Sequence, residues 1–384
     1  MDSPASLAWA QLSREKRRLL AAVAGVAFAV LLMLMQLGFQ SALLASTVLL
    51  HNQLHCDIVL LSPQTDFLTA AKAFPEARLY QTLGVPGVAS CSALYLGVSG
   101  WRNHVTGKSR PIFIVGVDPD AHPLEFPDVE RQSAAIHAPD ALLFDAGSRP
   151  EYGPVGRDVR NGNAVVTELG GHRVSVAGLF EMGPSFAADG AVVTSAETFL
   201  RLFPSRKTSW IDVGLVRLEA GADEAAVRAR LDALLPDDVL VLTKRGYANR
   251  EVTYWTGATP IGFIFGFGVI MGFAVGGVIV YQILFASVSD HLPEYATLRA
   301  MGFTSTYLRL VVLGEAWILA ALGYLPGAIG CDRLFRLTRA KTLLPMALTS
   351  HLLVLSLALT IGMCSLSALL ASRKLHAADP AEIF

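Results

Sequence analysis

Charge is what this chain of 384 residues has least of. Asp, Glu, Lys and Arg make up 16% of it, hydrophobic residues make up 53%, and mean hydropathy is +0.47, a balance that excludes an ordinary soluble domain. There is no excess of one sign either, with 31 Lys and Arg against 32 Asp and Glu. No polybasic tract breaks that balance, which argues against nucleic acid as a partner. Four cysteines are too few for a disulfide scaffold. Cys56 and Cys91 fall in one polar stretch and could pair, but their separation in sequence says nothing about Cβ geometry. Catalytic signatures are missing as well: there is no Gly-x-Ser-x-Gly elbow, no His-Glu-x-x-His zinc helix and no nucleophile signature around either cysteine. Triads assembled in space escape such inspection, so a membrane-anchored hydrolase stays as a competing class. Thr106-Gly107-Lys108-Ser109 looks like the end of a P-loop, but that motif needs a glycine five residues before Gly107, and position 102 is Arg.

Long uncharged runs are what the chain has instead. The first covers residues 19–50 and follows Arg14, Lys16, Arg17 and Arg18, which reads as an uncleaved signal anchor with a cytoplasmic N-terminus. As a helix its 32 residues would measure about 48 Å, against a hydrocarbon core of about 30 Å. The span is therefore placed at about 19–39, continuing outward as a stalk. His51, Gln53, His55, Cys56 and Asp57 end the stalk. His51 and His55 could share one helix face as metal ligands, but no third ligand follows at a telling spacing, and polar residues where a helix enters water explain them equally.

The charge that exists is unevenly laid out. Residues 51–256 hold 19 Lys and Arg against 24 Asp and Glu, and the rest of the chain holds 12 against 8. The middle reads as a mildly acidic domain outside the membrane, and the ends as basic and membrane-bound. Within residues 57–245, β-like runs fall at 57–61, 88–98, 111–117, 141–145, 164–168, 173–180 and 191–194, the last leading into a helix over 195–203. A β-α-β unit closes the domain, with strands at 211–218 and 239–243 around a helix over 223–235 that Pro236 ends. A matching unit opens it, with a helix over 76–83 between strands near Ile58 and Val88.

A second run, 258–289, carries Gly262 and Gly266, then Gly268, Gly272 and Gly276. This small-xxx-small spacing lets helix backbones approach closely in lipid, against a symmetry mate or the first span; the competing reading is that glycine is simply common in membrane helices. A third span at 307–330 contains Glu315, read as a structural polar contact, with a basic partner near the cytoplasmic interface, ahead of a proton relay. A fourth follows at 349–371. The connection 331–348 carries Arg333, Arg336, Arg339 and Lys341 against Asp332, a positive balance that sits badly with an external loop. A fifth span or a re-entrant segment is the alternative; four spans agree with basic clusters at both ends, Arg373 and Lys374 forming the second.

Between the second and third spans lies a polar island, residues 287–307, with Asp290, His291, Glu294 and Arg299. Leu292, Tyr295, Leu298 and Met301 recur at spacing three and Gly302 is suited to ending a helix, so a short amphipathic helix lying along the membrane is expected. An ordinary polar loop is the competing reading.

Glu294, Ala296, Leu298, Arg299, Ala300 and Gly302 resemble the E-x-A-x-L-R-A-x-G signature that follows the second span in the MacB/FtsX/LolC superfamily of ABC-transporter permeases. Asp379, Pro380 and Glu382 resemble the D-P-x-E-x-L close of that superfamily, and Glu315 with Ala316 its frequent Glu-Ala pair. The tail and the text 101–113 look like the DevC branch. The resemblance implies an α-helical membrane protein with four transmembrane helices and a large α+β extracytoplasmic domain, porter-like β-α-β units plus an inserted β-rich lobe. It divides the chain into a cytoplasmic N-terminus (1–18), span and stalk (19–56), domain (57–245), stalk and span (246–289), coupling helix (290–306), third span (307–330), external loop (331–348), fourth span (349–371) and cytoplasmic tail (372–384). By the same resemblance the island is a coupling helix that docks on a separate ABC ATPase through Pro293, Glu294, Tyr295, Leu298, Arg299, Met301 and Gly302. The chain itself would hold no cofactor, Mg-ATP being bound by two copies of that ATPase. It would act as a non-catalytic homodimer in a bacterial inner membrane with both termini cytoplasmic, exporting lipid, glycolipid or other amphipathic cargo with a periplasmic membrane-fusion adaptor and an outer-membrane channel. A lipoprotein-releasing permease and an FtsX-like regulator of a cell-wall hydrolase share the layout and stay as alternatives.

Overall fold

The computed structural model describes residues 8–9, 16–186 and 188–373. Arg14, Lys374 and the tail residues Asp379, Pro380 and Glu382 lie outside the described residues, as does most of the N-terminal segment 1–15. The chain packs as two units: Met1–Ala42, Pro260–Thr342 and Met346–Phe384 form one, as far as they are described, and Leu43–Thr259 with Leu343–Pro345 form the other.

The first unit is helical. Its elements are α1 (Lys16–Thr47), which runs on past the unit's edge, and then, after the helices of the other unit, α6 (Ile261–Asp290), α7 (Leu292–Ala300), α8 (Ser305–Thr342) and α9 (Ser350–Ser372). Four of these, α1, α6, α8 and α9, are long and apolar enough to cross a membrane. Backbone approach between them is made at glycines. A Cβ on Gly272 would stand 3.1 Å from Met33 Cγ, and Gly276 faces Ala29 and Met363. Gly323 and Gly327 of α8 press on Val26, Ala27 and Val30. With lipid as apolar as leucine, such close van der Waals contact is what holds membrane helices together. Hydroxyls add to it: Tyr324 donates to Leu353 O at 2.8 Å, and Ser367 to Gly277 O at 2.8 Å.

One boundary departs from the sequence reading. The segment 331–348, expected as a loop, is helical through Thr342, which leaves only 343–349 as connection. Arg339 and Lys341 stand in the last turn, where cations favour the carbonyl end of the helix macrodipole, so the charge that argued for a loop suits a helix end.

The second unit is built on sheet. Its strands are β1 (Ile58–Leu61), β2 (Phe74–Pro75), β3 (Val88–Arg102), β4 (Ser109–Val117), β5 (Ala141–Asp145), β6 (Val165–Leu169), β7 (His172–Phe180), β8 (Ala191–Ser195), β9 (Trp210–Ile211), β10 (Val213–Leu218) and β11 (Leu240–Thr243). Among its helices are α2 (Leu49–Asn52), α3 (Ala196–Leu202), α4 (Glu224–Leu234) and α5 (Lys244–Thr253). Nine strands join in the order β11-β1-β10-β3-β4-β8-β5-β7-β6. β10 runs antiparallel to both β1 and β3, and β1 antiparallel to both β10 and β11. Each β-α-β unit thus has a strand of the other inserted between its own, the interleaved ferredoxin-like arrangement.

The lobe inserted between β3 and β10 continues the same sheet. β3, at 15 residues, serves both parts, and Trp101 near its end pairs with Leu169, so that β6 meets β3 and closes the lobe. Sequence patterning ended this strand at residue 98, because glycines at 97 and 100 weaken a strand signal. Phe203 and Phe199 pack where a Cβ at Gly97 would stand, so the missing side chain is filled by aromatic rings. Trp101, Phe144 and Tyr152 form the lobe's interior, with ring centroids 5.1 and 6.4 Å apart. The Trp101 indole N–H donates to Tyr152 O at 3.1 Å, and the Tyr152 hydroxyl to Pro111 O at 2.5 Å, so both rings bury their polar atoms satisfied.

Candidate functional site

The turn between α6 and α8 is made residue by residue. His291 leaves helical geometry at φ −94°, ψ 12° and separates α6 from α7. Pro293 follows in the first turn of α7, where a missing N–H costs nothing. Glu294 stands beside it, an acid at the positive end of the helix. The C-terminus is a Schellman motif: Gly302 takes φ +93°, its N–H donates to Arg299 O at 3.0 Å, and the Phe303 N–H donates to Leu298 O at 3.1 Å. Thr304 then opens α8 by accepting the Tyr307 N–H at 3.3 Å.

Tyr295 and Ala296 are fully buried, whereas Pro293, Glu294, Met301 and Gly302 are exposed and Leu298 and Arg299 half-buried. This corrects the expected apolar face. A strict spacing of three slips 60° backwards per step on a helix of 100° per residue, so Met301 comes round to the side opposite Leu292. The buried face is set by the i, i+3, i+4 neighbours Leu292, Tyr295 and Ala296, and Met301 is 65% exposed.

Polar groups gather at the same end of the helical unit. Arg18 at the start of α1 donates to Asp290 at the end of α6, 2.5 Å. Glu315, fully buried, accepts from the Ser287 hydroxyl at 3.3 Å. Its hydrogen-bond partner is thus a hydroxyl on α6, and the basic groups His291 and Arg18 also act on it electrostatically. The glycine series divides: Gly268, Gly272 and Gly276 face α1 at Gln36, Met33 and Ala29 of the same chain, while nothing lies within 4 Å of a Cβ on Gly266. Gly262 sits in the first turn of α6, half-buried. Gly323 and Gly327 escaped the sequence reading, although their spacing of four is the same signal.

The stalk base holds a second cluster, and sequence reasoning missed most of it. Glu251 of α5 accepts the Leu68 N–H at 2.9 Å and the Trp255 indole N–H at 2.8 Å. Burial pushes its carboxyl upward, and those two donors oppose the shift. His51 of α2 lies against Tyr247 with ring centroids 4.2 Å apart, its Nε2 3.7 Å from Glu251. Burial lowers its pKa to about 3. Phe67, Tyr254, Trp255 and Phe186 stack around them. His51 and His55 are not brought together, since His55 Nδ1 lies 3.2 Å from His122 O. Cys56 and Cys91 are both free, and burial holds the Cys56 thiol up at about 12. The P-loop lookalike is the tip of the β3–β4 hairpin, with the Asn103 side-chain Oδ1 accepting from Val105 and Thr106 N–H and Gly107 at φ +70°. A hairpin does not open a helix on which phosphate could rest.

Two family models match this chain: residues 19–234 match the MacB-like periplasmic core domain, and residues 262–380 the FtsX-like permease C-terminal region. Among solved structures it is similar to the extracellular domain of the ABC-type transporter YknZ from Gram-positive bacteria, at 18% identity and TM-score 0.33, covering 48% of this chain and 98% of that one. It is also similar to the periplasmic region of MacB from Actinobacillus actinomycetemcomitans, at 11% identity and TM-score 0.34, covering 51% and 92%. No curated protein matches it.

Proposed function

We propose, from the premise that this chain belongs to the MacB/FtsX/LolC superfamily of ABC-transporter permeases, that it is the membrane subunit of an exporter and works by transmitting motion. The observation that carries this reading is α7, a helix locked on one face by Tyr295 and Ala296 and presenting Pro293 and Glu294 to solvent. A short helix fixed in that way moves as a rigid body when a docked partner moves. In this reading the partner is a separate ATPase, two copies for a homodimer of this chain, and Mg-ATP is bound there. The membrane is a bacterial inner membrane, with α7 and both termini on the cytoplasmic side. Nucleotide-driven closure displaces α7, the helices carry the displacement to the extracytoplasmic domain, and that domain drives an amphipathic cargo into a periplasmic adaptor and an outer-membrane channel. A glycolipid cargo, as in the DevC branch, fits the text of residues 101–113. The chain contributes no bond-breaking step.

Glu294→Arg tests the reading. The residue is exposed, so purified yield and thermal unfolding of the permease–ATPase complex are expected to stay unchanged while adaptor-stimulated ATP hydrolysis drops several-fold. Normal stimulation at normal yield would remove α7 as the docking element.

A further inference from the structure

The apolar part of α8 ends well before the helix does. At about 1.5 Å per residue its 38 residues measure about 57 Å, more than the roughly 40–45 Å of a bilayer with its headgroups. Its last turns therefore pass through a headgroup layer. Phe335 fills the space where a Cβ on Gly38 would stand, which sets it level with the outer end of the first span, placed at about 19–39. From Asp332 on the helix carries Arg333, Arg336, Arg339 and Lys341 with that single acid. Asp332 is held by Arg336 at 2.7 Å, and the other three cations have no ion-pair partner among the described residues.

Cys331 and Phe335 are buried and mark the inward face. At 100° per residue, Arg333 and Leu337 fall opposite them, with Arg336 and Lys341 flanking those two and Leu334 and Arg339 nearer the inward side; Leu337 is 65% exposed and Leu334 37%. Leucines and cations on one outward face, continuous with a span, suit the boundary between acyl chains and headgroups, with the Arg and Lys stems reaching outward along it. The same cations violate the positive-inside tendency if α7 is cytoplasmic, so an anion is needed at this depth to offset them. We propose that the outward face of α8 over residues 333–341 binds anionic phospholipid headgroups of the leaflet in which α8 ends.

The test uses the full chain reconstituted in equal parts phosphatidylcholine and phosphatidylglycerol, re-extracted, with the retained lipid quantified by mass spectrometry. The wild type is expected to enrich phosphatidylglycerol, less so as salt rises. Combined Arg333→Gln, Arg339→Gln and Lys341→Gln is expected to lower the enrichment by roughly fivefold per cation removed at low salt. All three positions are exposed, and thermal unfolding checks that the fold persists. A second variant, Arg333→Lys, Arg339→Lys and Lys341→Arg, is expected to keep the enrichment because charge is kept. An unchanged lipid ratio in the Gln variant overturns the proposal, as does loss of a protein contact with the lipid ratio intact, which would assign the face to an acidic protein surface. No ATPase enters the measurement, so failure here leaves the reading of α7 untouched.

Discussion

At His51 an imidazole is fully buried with no hydrogen-bond partner on either ring nitrogen among the described residues, and 3.7 Å to Glu251 is too long for a hydrogen bond. With its pKa lowered to about 3, His51 is neutral at pH 7, so the pair is no ion pair there. The unfolded chain takes up a proton near pH 6.5 that the folded one refuses until about pH 3, and stability contributed by this site is therefore lost as pH falls through that window. His51→Phe keeps the ring contact with Tyr247 and is expected to flatten the acid limb of Tm against pH between about 6.5 and 3. An unchanged limb would assign acid sensitivity to other groups. The glycines are the other residue-scale device: Gly272→Leu drives a side chain into Met33, and the expected outcome is loss of folded protein on size-exclusion chromatography, whereas Gly266→Leu enters open space and should be tolerated. The two outcomes together separate packing glycine from incidental glycine.

At the scale of elements, Trp101→Ala removes the ring that fills the lobe and holds β3 to β6, and a loss of roughly 3–5 kcal/mol is expected in denaturant unfolding. What could be read in sequence was what is written locally. The two β-α-β units, the helix over α4 and the stop at Gly302 are announced by neighbouring residues: Asp223 caps α4 by accepting from Ala225 and Ala226 N–H, and Gly302 takes the positive φ that ends α7. The length of β3 was hidden, since what replaces the side chains missing at Gly97 comes from Phe199 and Phe203, a hundred residues on. The true inner face of α7 was hidden by a repeat of three that mimics amphipathicity, and the α8 extension by charges that signal a loop when counted and a helix end when placed.

For the molecule as a whole, the decisive quantity is sidedness. Cysteines introduced singly at exposed Ser205 and Thr306, in a background lacking native cysteine, are expected to label from opposite sides of the membrane with an impermeant maleimide; labelling from one side would overturn the four-span topology. Cys91 is the one native thiol that is only half-buried, so its removal matters most to the background. The glycine contacts that bind α1 to α6 and α8 depend on residues hundreds of positions apart, which is why the sequence shows that a close approach exists without showing which helix it meets.

β3 adds a mechanical consequence. Fifteen residues of extended chain reach about 50 Å, and hydrogen bonds to β10, β4 and β6 brace the strand along that length. Extended backbone has almost no slack left to give up, so the two ends of β3 are held at a fixed separation. The strand is thus one continuous strut between the β10 edge of the sheet and the Asn103–Lys108 tip.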